Sequence, residues 1–451
     1  MDSKDIQFEK MTKTPIPKLV SSLAIPTIIS MLITSLYNMA DTYFVSQLGT
    51  SASAATGIVF SLMAIIQAVA FAIGIGSGST ISRKLGQQNN EYADVLGSSG
   101  FITSLIFGFA LLIFGNIFIG PLMILLGSTE TILPYAVSYA KYILFAAPFM
   151  TASFALNNML RAEGKANFAM VGIGIGGIIN IILDPIFIFY FDFGISGAAI
   201  ATATSQFLGF IILFSYYLKG KTIVKFSIKK VSKEINTYLV IFKNGMPSFF
   251  RQGLASISTV ALNFNAANYG DSAVAAMSIV GRVFMLIFCV VVGYGQGYQP
   301  VVGYNYGSKN FTRVKESFLF TLKVGTTIMT VLAFIGYILS PQIMSWFISD
   351  SSVIEIGTRA LRYQCLVMPL MTLGVISNMT FQAVGKSLHA TFLTSCRQGI
   401  FFLPLIIILP KIFYLKGVEI TQPISDILTF IISIPFIYKF FKNLNINTDV
   451  Q

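Results

Sequence analysis

The chain has 451 residues, of which 55% are hydrophobic and only 11% are charged, and its mean hydropathy is +0.75. These values exclude a soluble globular domain, and continuous apolar runs of about twenty residues exclude the short alternating strands of a membrane β-barrel. We therefore expect an all-α polytopic membrane protein with about twelve transmembrane helices.

Apolar segments long enough to span a bilayer recur along the whole chain. In the first half they lie at approximately 18–46, 54–82, 93–117, 132–157, 166–190 and 195–217. In the second half they lie at approximately 237–267, 272–304, 315–339, 354–383, 389–412 and 420–441. An even number of spans places both termini on the same side of the membrane.

The net charge of +12 is concentrated between the predicted spans. Lys and Arg crowd the N-terminal tail and alternate connections, whereas almost none occur in the intervening loops near Gly49, Ser128, Asp192, Asp271 and Asp350. By the positive-inside rule, we predict a plasma-membrane protein with both termini in the cytoplasm. One loop, with Lys411 and Lys416, departs from this pattern. The distribution indicates membrane topology and no nucleic acid partner.

Reactive and metal-binding residue types are scarce. Cys289, Cys365 and Cys396 are scattered inside apolar spans without disulfide or metal-ligand spacing, and His389 is the single histidine. No pair of nucleophile and base and no soluble catalytic domain is visible. We expect neither enzyme activity nor a cofactor.

An internal repeat relates the two halves. With an offset of about 221 positions, LGTSASAATGIVF from Leu48 aligns with YGDSAVAAMSIVG from Tyr269. In the same frame APFMTASFALNNMLRAEGK aligns with MPLMTLGVISNMTFQAVGK. We predict an N-terminal lobe over 1–218, a cytoplasmic linker over 219–236 and a C-terminal lobe over 237–451. Two six-helix bundles, related by a pseudo-two-fold axis along the membrane normal, leave a cleft suited to alternating access.

One acidic residue stands out within these spans. Asp184 lies about halfway along the fifth span, in NIILDPIF, where an ionisable side chain is costly. Asn180 is four residues earlier and on the same helix face, so both side chains can contact one ligand. The alternative is that Asp184 caps a half-helix beginning at Pro185.

Several motifs resemble those of the multidrug and toxic compound extrusion (MATE) transporters along nearly the whole chain. They are Pro26 in the first span, MADTYFVSQLG from Met39, RAEGKANFAM before the fifth span, NIILDP from Asn180, GISGAAIATATSQ from Gly194, and FQAVGK in the second half. The pattern is most similar to the branch typified by DNA-damage-inducible protein F and the archaeal members. That family exchanges sodium ions or protons for amphipathic, usually cationic, compounds.

The resemblance implies a coupling site for H⁺ or Na⁺ in the first half. Its residues would be Asp41, Asn180, Asp184 and Thr202, with Asn157 nearby and Pro26 as a bend in the first span. The carboxylates that another branch has in spans seven, eight and ten are absent here. We therefore expect the first half to perform the coupling and the second half to contain no buried acid.

Simpler roles remain open for three of these residues. Asp41 lies toward the outer end of its span, where interfacial water can solvate it. Thr202 lies among small residues that favour helix packing or back-bonding to the preceding turn. Asn157 has a twin, Asn378, and the pair favours a shared structural role.

Two arginines of the second half lie near the ends of predicted spans. Arg282 follows an outer loop and can snorkel to the interface. Arg251 either snorkels or faces the cleft, where it would favour anionic parts of a substrate or balance the charges of Asp41 and Asp184.

Together these observations predict a monomeric, cation-coupled antiporter, surrounded by lipid, that exports amphipathic cationic drugs or toxic compounds by alternating access. The runner-up is a lipid-linked oligosaccharide flippase of the same wider superfamily, which typically has fourteen spans and a markedly basic cavity. A non-transporting membrane sensor or enzyme is a third alternative, without catalytic residues to support it.

Overall fold

The computed structural model describes residues 3–448, and in that part of the chain every regular element is helical. The first half contains eight α-helices, and a π-helical turn, Ile186–Tyr190, directly follows the seventh. They are α1 Ser3–Lys13, α2 Ile16–Ser46, α3 Thr50–Gly86, α4 Asn90–Ile117, α5 Ile119–Leu125, α6 Leu133–Ala162, α7 Ala166–Pro185 and α8 Gly194–Leu218.

The second half repeats this plan after a connection that contains one short 3₁₀ turn, Ile228–Lys230. A second π-helical turn, Cys396–Ile400, follows the short helix Ser387–Ser395. The helices are α9 Ile235–Ala267, α10 Asp271–Gly307, α11 Phe311–Ile338, α12 Ser340–Phe347, α13 Ser351–Ala383, α14 Ser387–Ser395 and α15 Phe402–Thr448.

Ten helical stretches of the described chain are long and apolar enough to cross a membrane. One of them, Ser387–Leu444, has 58 residues and contains a non-helical backbone at Tyr414 (φ 54°, ψ −137°), which separates two passes. Helix α9 has 33 residues but is more polar and is not among the ten. With α9 and both passes of Ser387–Leu444, the count reaches the predicted twelve.

The internal repeat is visible in local structure as well as in sequence. Asn89 caps α4 by accepting a hydrogen bond from the backbone N–H of Tyr92 (3.1 Å), and Asn310 caps α11 by accepting one from Arg313 (3.3 Å). The residues before these caps, Gln88 and Lys309, both have left-handed backbones, with φ of 57° and 59°. Equivalent turns at equivalent positions confirm two copies of one helical unit.

The two halves meet near the end of the molecule that carries the connection 219–234, called here the linker end. Helix α3 packs on α9, and α2 packs on α10. A Cβ added to Gly245 would collide with the carbonyl oxygen of Ala72, so only glycine allows this approach of α9 to α3. The two bundles therefore touch backbone to backbone at the linker end.

Helix α1 joins both halves at the linker end. Gln7 donates a hydrogen bond to the backbone oxygen of Glu163 in the first half (2.7 Å). From the second half, Asn305 donates to the backbone oxygen of Met11 (3.1 Å) and Arg313 donates to that of Thr14 (2.6 Å). The N-terminal helix thus ties the turn after α6 to the end of α10 and the start of α11.

Glu163, in the turn between α6 and α7, is fully buried under this helix. Its Oε2 accepts a hydrogen bond from the backbone N–H of Ile223 in the connection (2.6 Å), while Oε1 has no partner among the described residues. Burial raises the pKa of Glu163 to about 8, and the Ile223 hydrogen bond offsets part of that increase. The folded protein therefore favours the protonated carboxyl.

Substitution of Gly245 by Ala should separate α9 from α3. Overpacking of this kind costs about 1–3 kcal/mol, so we expect the melting temperature of the purified protein to fall by several degrees. Gly253→Ala is the matched control, because an added Cβ at Gly253 meets no atom within 4 Å. Equal melting temperatures for the two variants, measured with a thiol-reactive dye, would contradict the close contact.

Glu163 should make stability depend on pH. Because its pKa is raised from 4.5 to about 8 in the folded state, folding binds a proton, and stability should fall as pH rises through that interval. In Glu163→Gln this fall should be smaller, by a few degrees of melting temperature between pH 5 and about 8. Glu130→Gln, at an exposed glutamate, should retain the wild-type slope. A wild-type slope in Glu163→Gln would exclude a raised pKa.

Candidate functional site

Asp184 and Asn180 lie together on the inner face of α7. Both are buried, with side-chain exposures of 0% and 1%, and Asn180 donates a hydrogen bond from Nδ2 to Asp184 Oδ1 (3.2 Å). The helix continues through Pro185 into the π-helical turn, and no side chain caps that turn. The alternative that Asp184 caps a new half-helix is therefore wrong.

Asp41 approaches the same region from α2. It is buried, and its Oδ2 accepts a hydrogen bond from the hydroxyl of Tyr139 on α6 (3.1 Å). The alternative of interfacial solvation is therefore excluded. The carboxylates of Asp41 and Asp184 are close enough to repel each other electrostatically. The hydroxyl of Tyr139 also interacts electrostatically with both carboxylates.

Thr202 completes the cluster from α8. It is buried, and its hydroxyl oxygen accepts a second hydrogen bond from Asn180 Nδ2 (3.3 Å). Tyr139 also interacts with the Thr202 side chain. Side chains from four helices, α2, α6, α7 and α8, thus converge on one buried point.

Three oxygen atoms of this cluster are buried without a hydrogen-bond partner among the described residues: Asp41 Oδ1, Asn180 Oδ1 and Asp184 Oδ2. A buried acceptor without a partner costs about 1–3 kcal/mol, and more if it is charged. Two nearby carboxylates in a low dielectric also disfavour each other's charged form. Both costs fall if the cluster holds a proton or a small cation. Carboxylate and amide oxygens are suitable ligands for a hard cation such as Na⁺.

A small cavity of about 30 Å³ reaches this cluster from within the first half. Asn180, Tyr37, Gln206 and Thr34 are among the residues that line it. This volume accommodates one or two water molecules and has polar groups to hold them. The cluster is therefore accessible to a proton or a small ion, but not to an organic compound.

Asn157 and Pro26 lie outside the cluster itself. Asn157 donates a hydrogen bond to the backbone oxygen of Ala169 (2.8 Å), and its twin Asn378 donates to the equivalent Ala390 (2.5 Å). The matching contacts confirm a shared structural role, in which each Asn ties a helix to the next one. Pro26 is inside α2, and its carbonyl oxygen accepts from the hydroxyl of Ser30 (2.8 Å).

A second cavity, of about 380 Å³, lies between the two halves. It begins directly beyond the contact of Ile28 with Gly293, since Met31 and Val292 are among its lining residues. From the first half, Thr34, Asn38 and Asn157 also line it, whereas Asp41, Asn180, Asp184 and Thr202 do not. The cluster of Asp41, Asn180, Asp184 and Thr202, which would bind the cation and is called here the cation cluster, is thus separate from the large cavity. Helix α2 contributes to both.

Arg251 lines this large cavity, so it faces the cleft instead of snorkelling. No ion pair joins it to Asp41 or Asp184 within residues 3–448, and it does not balance their charges by contact. Arg282 is exposed and does not line the cavity.

The expectation that the second half has no buried acid is wrong. Glu419 and Asp426 on α15 each have an exposure of only 2%. Glu419 accepts two hydrogen bonds from Arg359 (2.8 and 2.6 Å), and Asp426 accepts one from Arg397 (2.7 Å). These carboxylates are tolerated because an arginine from another part of the chain neutralises each of them.

Among the described residues, no group of three or more His, Cys, Asp or Glu side chains is placed to hold a metal ion. The residues that sequence reasoning missed are Tyr139, Arg161, Arg397 and Asp426. Asp426 could have been found, because it is an acid inside the predicted span 420–441. Tyr139 carried no signal, since tyrosines are common in this chain and its partner lies 98 residues away.

A model of one protein family, MatE, matches the chain twice, over residues 26–186 and 247–408. The two matches begin 221 positions apart, which is the offset of the internal repeat. Among curated proteins, the chain is 26% identical over 446 residues to the multidrug export protein MepA of Staphylococcus aureus, covering 99% of this chain and 98% of that protein.

Solved structures share the whole fold. An outward-facing structure of a multidrug resistance MATE family transporter of the MOP superfamily has a TM-score of 0.92, with 28% identity over 96% of this chain and 98% of that one. A MOP superfamily transporter from Pyrococcus furiosus, described as having a binding pocket of reverse polarity, has a TM-score of 0.91. It is 29% identical over 97% of this chain and 98% of that one.

Proposed function

The chain belongs to the MatE family of membrane transporters, and from that premise we propose that it is an antiporter that exports amphipathic compounds in exchange for H⁺ or Na⁺. One observation carries the proposal: Asp41, Asn180 and Asp184 each keep a buried oxygen without a hydrogen-bond partner in residues 3–448. Such a cluster is suited to reversible neutralisation, which is what ion coupling requires.

Helix α2 provides a physical route between the ion and the compound. Asp41 lies in the cation cluster, Thr34 and Asn38 line the large cavity, and Ile28 contacts α10. A shift of α2 on neutralisation of Asp41, with Pro26 as its bend, would change both the cavity wall and the contact between the halves. Cation and compound would then favour different states of the protein, as antiport requires.

The contacts at the linker end and the cavity beyond them support an outward-facing state. In this assignment the linker and both termini are cytoplasmic, as the positive-inside rule predicts, and the membrane is the plasma membrane. The protein acts as a monomer in lipid. The flippase alternative has one observation in its favour, the arginines on the cavity wall, but twelve passes rather than fourteen are against it.

Asp41 and Asp184 should act as one titrating unit. If they share one cation, Asp41→Asn and Asp184→Asn should each reduce cation-driven transport at least tenfold, and the double variant should be little worse. Asp192→Asn makes the same chemical change at an exposed loop residue with a left-handed backbone that Asn tolerates, and should be fully active.

These variants would be compared in proteoliposomes, with a sodium or a proton gradient imposed separately. Uptake of two probes, ethidium as a cation and 2-naphthoate as an anion, would be measured. Losses that multiply in the double variant would indicate independent sites. Transport by either single variant at the wild-type rate, or of neither probe by the wild type, would contradict the proposed function.

The connection should lie in the cytoplasm. In a background without Cys289, Cys365 and Cys396, a cysteine introduced at the exposed Lys229 should resist an impermeant maleimide added to intact cells. A cysteine at the exposed Thr131, on the opposite end, should react within minutes. The reverse pattern of labelling would show that the topology is inverted.

A further inference from the structure

We propose that the cavity between the two halves takes the acidic group of an amphipathic organic anion, with Arg251 and Arg161 as its binding groups. The inference rests on the proposed export function and assigns a negative charge to the exported compound. The family resemblance, in contrast, leads to the expectation of a cationic compound.

Four charged residues line the large cavity: Arg161, Arg251, Arg397 and Glu419. Two of these are already neutralised. The Glu419 carboxylate accepts from both Nε and Nη2 of Arg359, and Arg397 donates to Asp426. Two arginines, Arg161 and Arg251, therefore remain without a carboxylate.

The surroundings of these two arginines confirm that their charges are uncompensated. Arg161 is buried, and within the described part of the chain it donates only to neutral oxygens, those of Gln296 and Asn158. Arg251 makes no hydrogen bond or ion pair with any residue of the described chain. The two guanidinium groups also repel each other.

Two unpaired cations inside a membrane protein are costly, and an anion between them removes most of that cost. A carboxylate, sulfonate or phosphate offers two acceptor oxygens, which match the fork of donors on a guanidinium. An organic cation would be repelled by both arginines. It would find no free acid on the wall, since Glu419, the acid among the described lining residues, is paired with Arg359 (2.8 and 2.6 Å).

The rest of the wall is suited to an apolar body. Phe71 and Phe154 are in contact (ring centroids 5.1 Å apart), and Phe284 and Phe288 are stacked (5.8 Å). The cavity volume of about 380 Å³ fits one compact drug-sized molecule. A soluble aromatic acid and the head of an anionic phospholipid share the required chemistry, and the test distinguishes them.

The probes are 2-naphthoate and 2-naphthylmethylammonium, which have the same ring system and opposite charges. Binding would be measured calorimetrically on the full-length protein in an uncharged detergent. We expect 2-naphthoate to bind at least tenfold more tightly. Arg251→Gln should weaken 2-naphthoate binding at least tenfold. Arg251→Lys should weaken it less, because lysine keeps the positive charge but cannot form the bidentate hydrogen bonds of a guanidinium.

Arg282→Gln is the matched control, since it removes an exposed arginine of the same half that does not line the cavity. It should bind 2-naphthoate as the wild type does. A melting curve for each variant verifies that it is folded. Tighter binding of the ammonium probe, equal binding of both, binding of neither, or unchanged affinity in a folded Arg251→Gln would each overturn the inference.

Addition of phosphatidylglycerol to the micelles tests whether the bound anion is a phospholipid head group or a soluble aromatic acid. Competition with 2-naphthoate in the wild type would assign the cavity to a lipid phosphate, and absence of competition would assign it to a soluble acid; both retain the anion site. The binding test is also independent of coupling. Preference for the ammonium probe, together with Asp184-dependent export, would remove this inference and leave the proposed function standing.

Discussion

The cost of placing a charge inside a membrane protein governs how the polar residues of this chain are arranged. The two halves meet that cost differently. In the second half, Asp426 and Glu419 are neutralised by arginines fixed in the fold. In the first half, Asp41 and Asp184 receive hydrogen bonds, among the residues that the structure describes, only from the neutral groups of Tyr139 and Asn180. The charges of Asp41 and Asp184 are therefore left without a fixed counter-charge among the described residues.

The duplication makes this asymmetry informative. The halves share caps, turns and the Asn157 and Asn378 contacts, so the repeated features are those that hold a six-helix unit together. The charged clusters are not repeated. A duplicated scaffold thus supplies the cleft, and divergence within each copy supplies buried carboxylates without a counter-charge in one half and ion-paired carboxylates in the other.

Sequence alone predicted the features that depend on neighbours along the chain. Most of the passes follow from apolar length, the two halves follow from the offset, and the Asn180 and Asp184 contact follows from a four-residue spacing. Contacts between distant residues were not predictable. The hydroxyl of Tyr139 and the guanidinium of Arg397 bind partners on other helices. The pattern of residues along a single helix does not indicate which residue of another helix will be the partner.

Helix α1 has a consequence for the mechanics of the molecule. Its three contacts, from Gln7 to one half and from Asn305 and Arg313 to the other, cross the seam at which the bundles meet. Any opening of the linker end has to break at least one side of this bridge. Because Asn305 and Arg313 contact main-chain oxygens, the bridge depends on the path of the backbone in α1 more than on its side chains. The N-terminal helix is therefore a structural bridge between the two halves at the linker end.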